Sequence, residues 1–341
     1  MPGSQRRTVG LALAVLAGAH LLAAPPITIN LSTFAPTNSA WHKALLDMGD
    51  AWKKATDGRV TLNVYPGGTQ GPEPSVVKMM RPGVDHLQGA LLLLPGLAEI
   101  DDSANVFGMP FFLESDAEMR AVLSKLAPVV SKRLEAKGFH VLNWESAGWV
   151  QVFSKKQIKT LADLKQAKLY TTEGDARMVQ WYTSNGFHPV ALNFNDIPAQ
   201  LKLRTGMIDA VPSPTQGALL LQFFRDAPFM LELRVAPLLG ATVLTDKAWN
   251  AISPADRAKM LEDAAEMERH LMAEAPQIDV DSVEAMQKRG LTVTKVDPAA
   301  AAEFRSAAEK LVVSMRGGMV PADVYDLAVQ VRDAFRKPKG Q

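Results

Sequence analysis

From Ile27 to Thr33 apolar and polar residues alternate, the period-two pattern of a strand with one buried face. Asn38 or Ser39 then offers a helix cap, and Trp41, Leu45, Met48 and Trp52 recur on one helical face until Thr56-Asp57-Gly58. Alternation returns over Arg59–Tyr65 and stops at Pro66-Gly67-Gly68. A short helix over Ser75–Arg81 and an apolar stretch over Leu87–Leu94 follow. Strand, helix, strand, helix, strand is the rhythm of a parallel α/β sheet, whose ligands sit at the carboxyl ends of its strands.

The pattern then continues and restarts. A helix is expected over Ala117–Lys137, with strands over Phe139–Trp144 and Trp149–Phe153. Ser146-Ala147-Gly148 between those strands is the expected domain crossing. A second α/β set comprises helices over Leu161–Lys165, Asp175–Asn185 and Asp196–Thr205, and strands over Lys168–Thr171 and Met207–Val211. After a strand near Ala241–Thr245, Pro254–Arg289 is almost wholly helix-forming, interrupted only by Pro276. That stretch predicts one long kinked helix or two consecutive ones, spanning about 50 Å at ~1.5 Å per residue. A strand over Leu291–Val296 and helices over Pro298–Met315 and Pro321–Phe335 finish the chain.

Composition narrows the class. The chain has 341 residues, enough for two domains, and its 37 basic and 36 acidic residues nearly cancel. Nucleic acid, which calls for a concentrated basic face, is not an expected partner. Residues 1–46 hold no acidic side chain, and Arg6 and Arg7 precede an apolar run from Val9 to Leu22, then Ala23 and Ala24. This is the anatomy of a secretory signal, expected to occupy residues 1–24 with cleavage near Ala24, and its run of about 14 residues is short for the ~20 that span a bilayer. The mature chain is expected to be periplasmic and not membrane-spanning. With no cysteine in the chain, there is no disulfide, thiolate nucleophile or lipid-anchoring thiol.

Catalytic chemistry is thin. His42, His86, His140, His188 and His270 form no pair at metal-ligand spacing, so no metal site is expected. Ser75-Val76-Val77-Lys78 matches a Ser-x-x-Lys motif without its companion motifs. No Walker-type loop is present, and Glu262, Asp263, Glu266 and Glu268 read as the solvated face of the long helix. Neither enzymatic activity nor a cofactor is expected. The aromatic residues carry more: Phe34, Trp144, Trp149, Tyr170 and Phe194 each fall at or near the carboxyl end of a predicted strand, where a cleft ligand would sit.

Several segments resemble one family in order and spacing. Thr33-Phe34-Ala35-Pro36, Trp41-His42, Thr56-Asp57-Gly58-Arg59-Val60 and Tyr65-Pro66-Gly67-Gly68 are similar to the opening of solute-binding proteins of TRAP (tripartite ATP-independent periplasmic) transporters, dicarboxylate-binding type. Met109-Pro110-Phe111-Phe112, Lys159-Thr160-Leu161-Ala162-Asp163-Leu164-Lys165, and Ala199-Gln200-Leu201 with Gly206 and Ile208-Asp209 continue the likeness. The resemblance implies a two-lobed periplasmic-binding-protein fold of type II kind, α/β, with two mixed sheets flanked by helices, a hinged cleft and a long helix spanning both lobes. Lobe I is expected over 27–147 with 238–277, and lobe II over 148–237 with 278–341. Hinges are expected near Ser146–Gly148, Ala236–Leu238 and Pro276. It further implies a small-molecule ligand and TRAP membrane permease subunits as partners.

The likeness breaks at the anchors. Tyr170 in Lys168-Leu169-Tyr170 stands where the family typically has an arginine that pairs with a substrate carboxylate, Val150 stands at a second such position, and Ser213 replaces an asparagine. Removing one partner of a buried ion pair costs ~3–5 kcal/mol, so these losses point to an apolar or neutral ligand. The expected contacts are Phe34, Trp41, Leu91, Phe111, Trp144, Trp149, Val150, Tyr170, Arg177, Phe194, Ser213 and Gln216. Two alternatives stay open for an organic acid, namely Arg177 as a replacement arginine and a metal ion. A periplasmic sensor subunit and an enzyme on the same scaffold are the readings from other classes.

Overall fold

The computed structural model describes residues 26–203 and 205–337, so the expected signal segment lies outside the described residues. Among the described residues, ten strands are connected, eight of them along one path: β1 (Ile27–Thr33), β2 (Val60–Tyr65), β3 (Gly89–Leu93), β4 (Phe139–Ser154), β5 (Lys168–Thr172), β6 (His188–Leu192), β7 (Ala210–Pro214), β8 (Phe229–Leu231), β9 (Pro237–Thr245) and β10 (Thr292–Thr294). The order is β2-β1-β3-β9-β4-β7-β5-β6, with β8 pairing both β4 and β10. Parallel β1, β2 and β3 form one half, and parallel β5, β6 and β7 the other; β4 and β9 run antiparallel through the middle.

The helices are α1 (Ala40–Ala55), α2 (Glu73–Met80), α3 (Leu94–Ile100), α4 (Asp116–Glu135), α5 (Leu161–Gln166), α6 (Ala176–Ser184), α7 (Ile197–Lys202), α8 (Thr215–Leu220), α9 (Asp246–Ala251), α10 (Pro254–Gln287), α11 (Pro298–Met315) and α12 (Ala322–Arg336). The apolar stripe read from α1 is buried as its spacing requires: Trp41, Leu45, Met48 and Trp52 pack under β1 and against α10, where the Trp52 indole donates to the Met260 carbonyl at 3.3 Å.

Two expected strands are one. Phe139–Ser154 is a single 16-residue strand whose first part pairs with β9 and whose last part pairs with β7 and β8. The expected crossing at Ser146-Ala147-Gly148 is a register irregularity inside it, with Gly148 at φ +85°. Glycine is needed there twice over, because a Cβ would also lie 2.5 Å from the Asp279 carboxylate.

The long helix α10 is continuous across Pro276 over 34 residues. Its first half enters the core of lobe I through Met260, Ala264, Met267 and Leu271, and its far end enters that of lobe II through Met286. Between them, Asp279 accepts hydrogen bonds from the Trp149 amide at 3.1 Å and the Thr215 hydroxyl at 2.6 Å.

One boundary expectation needs correction. The sequence reading gave all of 278–341 to lobe II, yet α12 packs on α4 of lobe I. Val324, Tyr325 and Ala328 share a core with Val122, Leu126 and Val130, and Arg336 pairs with Glu118.

Candidate functional site

Between the lobes lies a cavity of about 360 Å³, within the range of small-molecule sites. Lobe I contributes Phe34, Trp41, Leu91 and Phe111 to its wall; lobe II contributes Val150, Tyr170, Phe194, Ser213 and Gln216. The geometry follows from strand ends. Phe34 leaves β1, Phe194 follows β6, and their rings stack across the cleft with centroids 5.2 Å apart and planes 12° from parallel. Gly68 makes room for this stack: it sits at φ +68°, and a Cβ there would lie 2.8 Å from the Phe34 ring. Beside the stack the Asn195 amide reaches the Gly68 carbonyl at 3.5 Å. Phe111, in a left-handed backbone conformation, donates its amide to the Val235 carbonyl at 2.6 Å and brings its ring to 6.3 Å from Phe304 of α11.

Three expected contacts are elsewhere. Trp144 is buried in the core of lobe I, edge-on to Phe107, with its indole donating to Ser131 at 3.0 Å. Trp149 is buried too, donating to Asp116 at 2.9 Å under the Arg234 guanidinium. Successive side chains of a strand face opposite ways, so the placement that turns Val150 to the cavity turns Trp149 from it. Arg177 is 58% exposed and forms a two-pronged pair with Asp102 of lobe I, one prong at 2.7 Å. Its guanidinium is thereby committed to a protein carboxylate, and it is not part of the cavity wall.

Sequence reading also missed wall residues. Glu73 opens α2, and its fully buried carboxylate accepts the amides of Leu93 at 2.8 Å and Gly96 at 3.0 Å. Burial pushes its pKa up to about 7 against those two donors. Asp175 caps α6 through the Met178 amide at 3.0 Å, and burial again raises its pKa. Trp181, Tyr182, Phe187, Phe223 and Phe304 complete the aromatic lining. Burial drives the Tyr170 hydroxyl up to about 12, with the charge of Glu73 adding to the effect, so it stays protonated and able to donate. The Trp181 indole N–H is buried without a partner. Asp175 and Trp181 were legible as a helix start and a helical face, but nothing in their spacing marks which face meets the other lobe.

Two α/β lobes, linked by paired strands with a mostly apolar cavity between them, are the architecture of a solute-binding receptor. The family profile described as bacterial extracellular solute-binding protein, family 7 (DctP) matches residues 31–316. The 2,3-diketo-L-gulonate-binding periplasmic protein YiaO of Escherichia coli is 27% identical over 260 residues, 74% of this chain and 76% of that protein. The crystal structure of DctP7, a Bordetella pertussis extracytoplasmic solute receptor binding pyroglutamic acid, superposes with a TM-score of 0.81 at 18% identity, covering 90% of this chain and 99% of that one. A Roseobacter denitrificans TRAP periplasmic solute-binding protein with bound β-D-glucuronate gives 0.80 at 20% identity, covering 89% and 99%.

The chain belongs to the DctP family of TRAP solute-binding proteins. It is a periplasmic receptor, not an enzyme, of the kind that binds small molecules and pairs with membrane permease subunits. Among the described residues, no helix is long and apolar enough to cross a membrane.

Proposed function

We propose that this receptor captures a small molecule with an apolar body and no anionic group, and delivers it to a TRAP permease. The observation that supports this is the composition of the cavity wall. Phenylalanine, tyrosine, tryptophan, leucine and valine dominate it, and among the described residues no lysine, arginine or histidine lines it. A buried carboxylate without a charge-assisted partner carries a desolvation penalty of several kcal/mol. Burying ~200 Å² of apolar ligand surface instead contributes about 5 kcal/mol. Tyr170, Ser213 and Gln216 supply neutral hydrogen bonds that orient the ligand.

A second reading has its own support: the named relatives bind organic acids. In this chain an acid would have to draw Arg177 away from Asp102 or bring a cation with it. A thermal-shift panel separates the two readings. Aromatics, sterol-like compounds and other apolar-bodied neutral molecules are expected to stabilise the protein. At 100-fold excess over Kd, linkage gives about 2.7 kcal/mol, a shift of several degrees. Stabilisation by sugar acids and small dicarboxylates alone would overturn the first reading. Native mass spectrometry of the molecule that co-purifies provides its mass directly.

A further inference from the structure

Charge on the cavity wall has one sign. Glu73 and Asp175 line it, with no cationic side chain among the described residues of the wall. Glu73 acts on the Tyr170 hydroxyl, and Asp175 on that of Tyr182. Behind Asp175, the charge of Arg177, which is itself paired with Asp102, favours the ionised carboxylate, while the weaker effects of Glu99 and Asp102 oppose it. Among the ion pairs of the described residues, only Arg177 with Asp102 engages any of these carboxylates. Asp175 uses Oδ1 for the Met178 amide, and its other oxygen receives no hydrogen bond from the described residues.

The same cavity is lined by the rings of Phe34, Trp41, Tyr170, Trp181, Tyr182 and Phe194. Aromatic faces carry negative charge density and attract organic cations, most strongly where water is excluded. The unpartnered Trp181 N–H offers a donor but no charge, so it leaves the sign of the field unchanged. Asp175, the partly ionised Glu73 and the rings together disfavour an anion and suit an ammonium.

We propose that the ligand's polar end is a protonated amine, held against Asp175 with its apolar body among the rings. This rests on the reading of an apolar-bodied ligand without an anionic group, and adds the sign of its charge. Three probes with one ring system test it by calorimetry: tryptamine, tryptophol and indole-3-acetate. The amine binds at least about tenfold tighter than the alcohol, and the acid binds weakest. Asp175→Asn keeps a good helix cap and is expected to bring the amine within about threefold of the alcohol. Asp175→Ser, another capping residue, gives the same result by an independent route. An alcohol that matches the amine while the acid stays weakest overturns this inference and leaves the proposed function standing. An acid that binds tightest overturns both. An amine preference that survives in both variants removes Asp175 from the role.

Discussion

Glu145 lies in the middle of β4, 0% exposed, at the center of the strand that both lobes share. Its Oε1 accepts the Thr242 hydroxyl at 2.7 Å and the Asn143 amide at 2.8 Å, while Oε2 has no partner. Burial, reinforced by the charge of nearby Glu268, pushes its pKa from 4.5 up to about 8. The unfolded chain releases this proton near 4.5 and the folded one near 8, so between those values the folded state binds more protons. Stability from this group is therefore fully present below about 4.5, declines as pH rises, and levels off above about 8. At ~1.4 kcal/mol per unit, the decline is on the order of 4–5 kcal/mol. Glu145→Gln cannot ionise but leaves an amide N–H without a partner, costing about 1–2 kcal/mol at every pH. By pH 5 the parent has already lost about 0.8 kcal/mol, so the variant is expected to be less stable there by only about 0.5 kcal/mol. It becomes more stable at pH 9 by about 3 kcal/mol, with the sign changing between about pH 5 and 6. Urea unfolding of both proteins from pH 5 to 9 reads this directly, because subtracting the two profiles cancels contributions from distant groups such as Glu73. Parallel profiles would show that Glu145 is ionised at little cost, and the reasoning would fail.

Three further perturbations probe the crossing and the cleft. Gly148→Ala forces a Cβ onto the Asp279 carboxylate at a left-handed position, and is expected to lower stability by about 2–3 kcal/mol, read as a drop in urea midpoint; an unchanged midpoint would refute the strain. Gly68→Ala drives a methyl into the Phe34 ring and disturbs its stack on Phe194, weakening ligand binding by about tenfold, measured by calorimetry on the co-purifying ligand. Arg177→Ala breaks an exposed inter-lobe pair; release in stopped flow should quicken about twofold with little loss of stability, whereas a hundredfold loss of affinity for organic acids would show Arg177 binding ligand.

Much of the architecture was legible because amphipathic periodicity reports which face of an element is buried. The helix α11 begins and ends where its cap and apolar spacing say, and the stripe on α1 is its buried face. The sequence was less able to show continuity across lobes: Ala147 and Gly148 read as a break, and only pairing with β9 and β7 makes β4 one strand. The site divided along the same line. Tyr170 lines the cavity where its strand end placed it and Val150 where the family resemblance did, but alternation beyond an irregular register could not be counted, so Trp149 at the same strand was expected in the cleft and is buried away from it. Glu73 and Asp175 went unnoticed because a carboxylate at a helix start is ordinarily a cap; Asp175 does cap its own helix, whereas Glu73 reaches across to amides at the start of α3. Their second role depends on the opposing lobe, which local pattern does not encode.

Strand β4, its neighbour β9 and helix α10 all pass from one lobe to the other. Three tethers side by side resist torsion while still permitting a bend, much as a strap hinge does. Any movement of one lobe against the other is thereby confined to a single arc, with little freedom to twist.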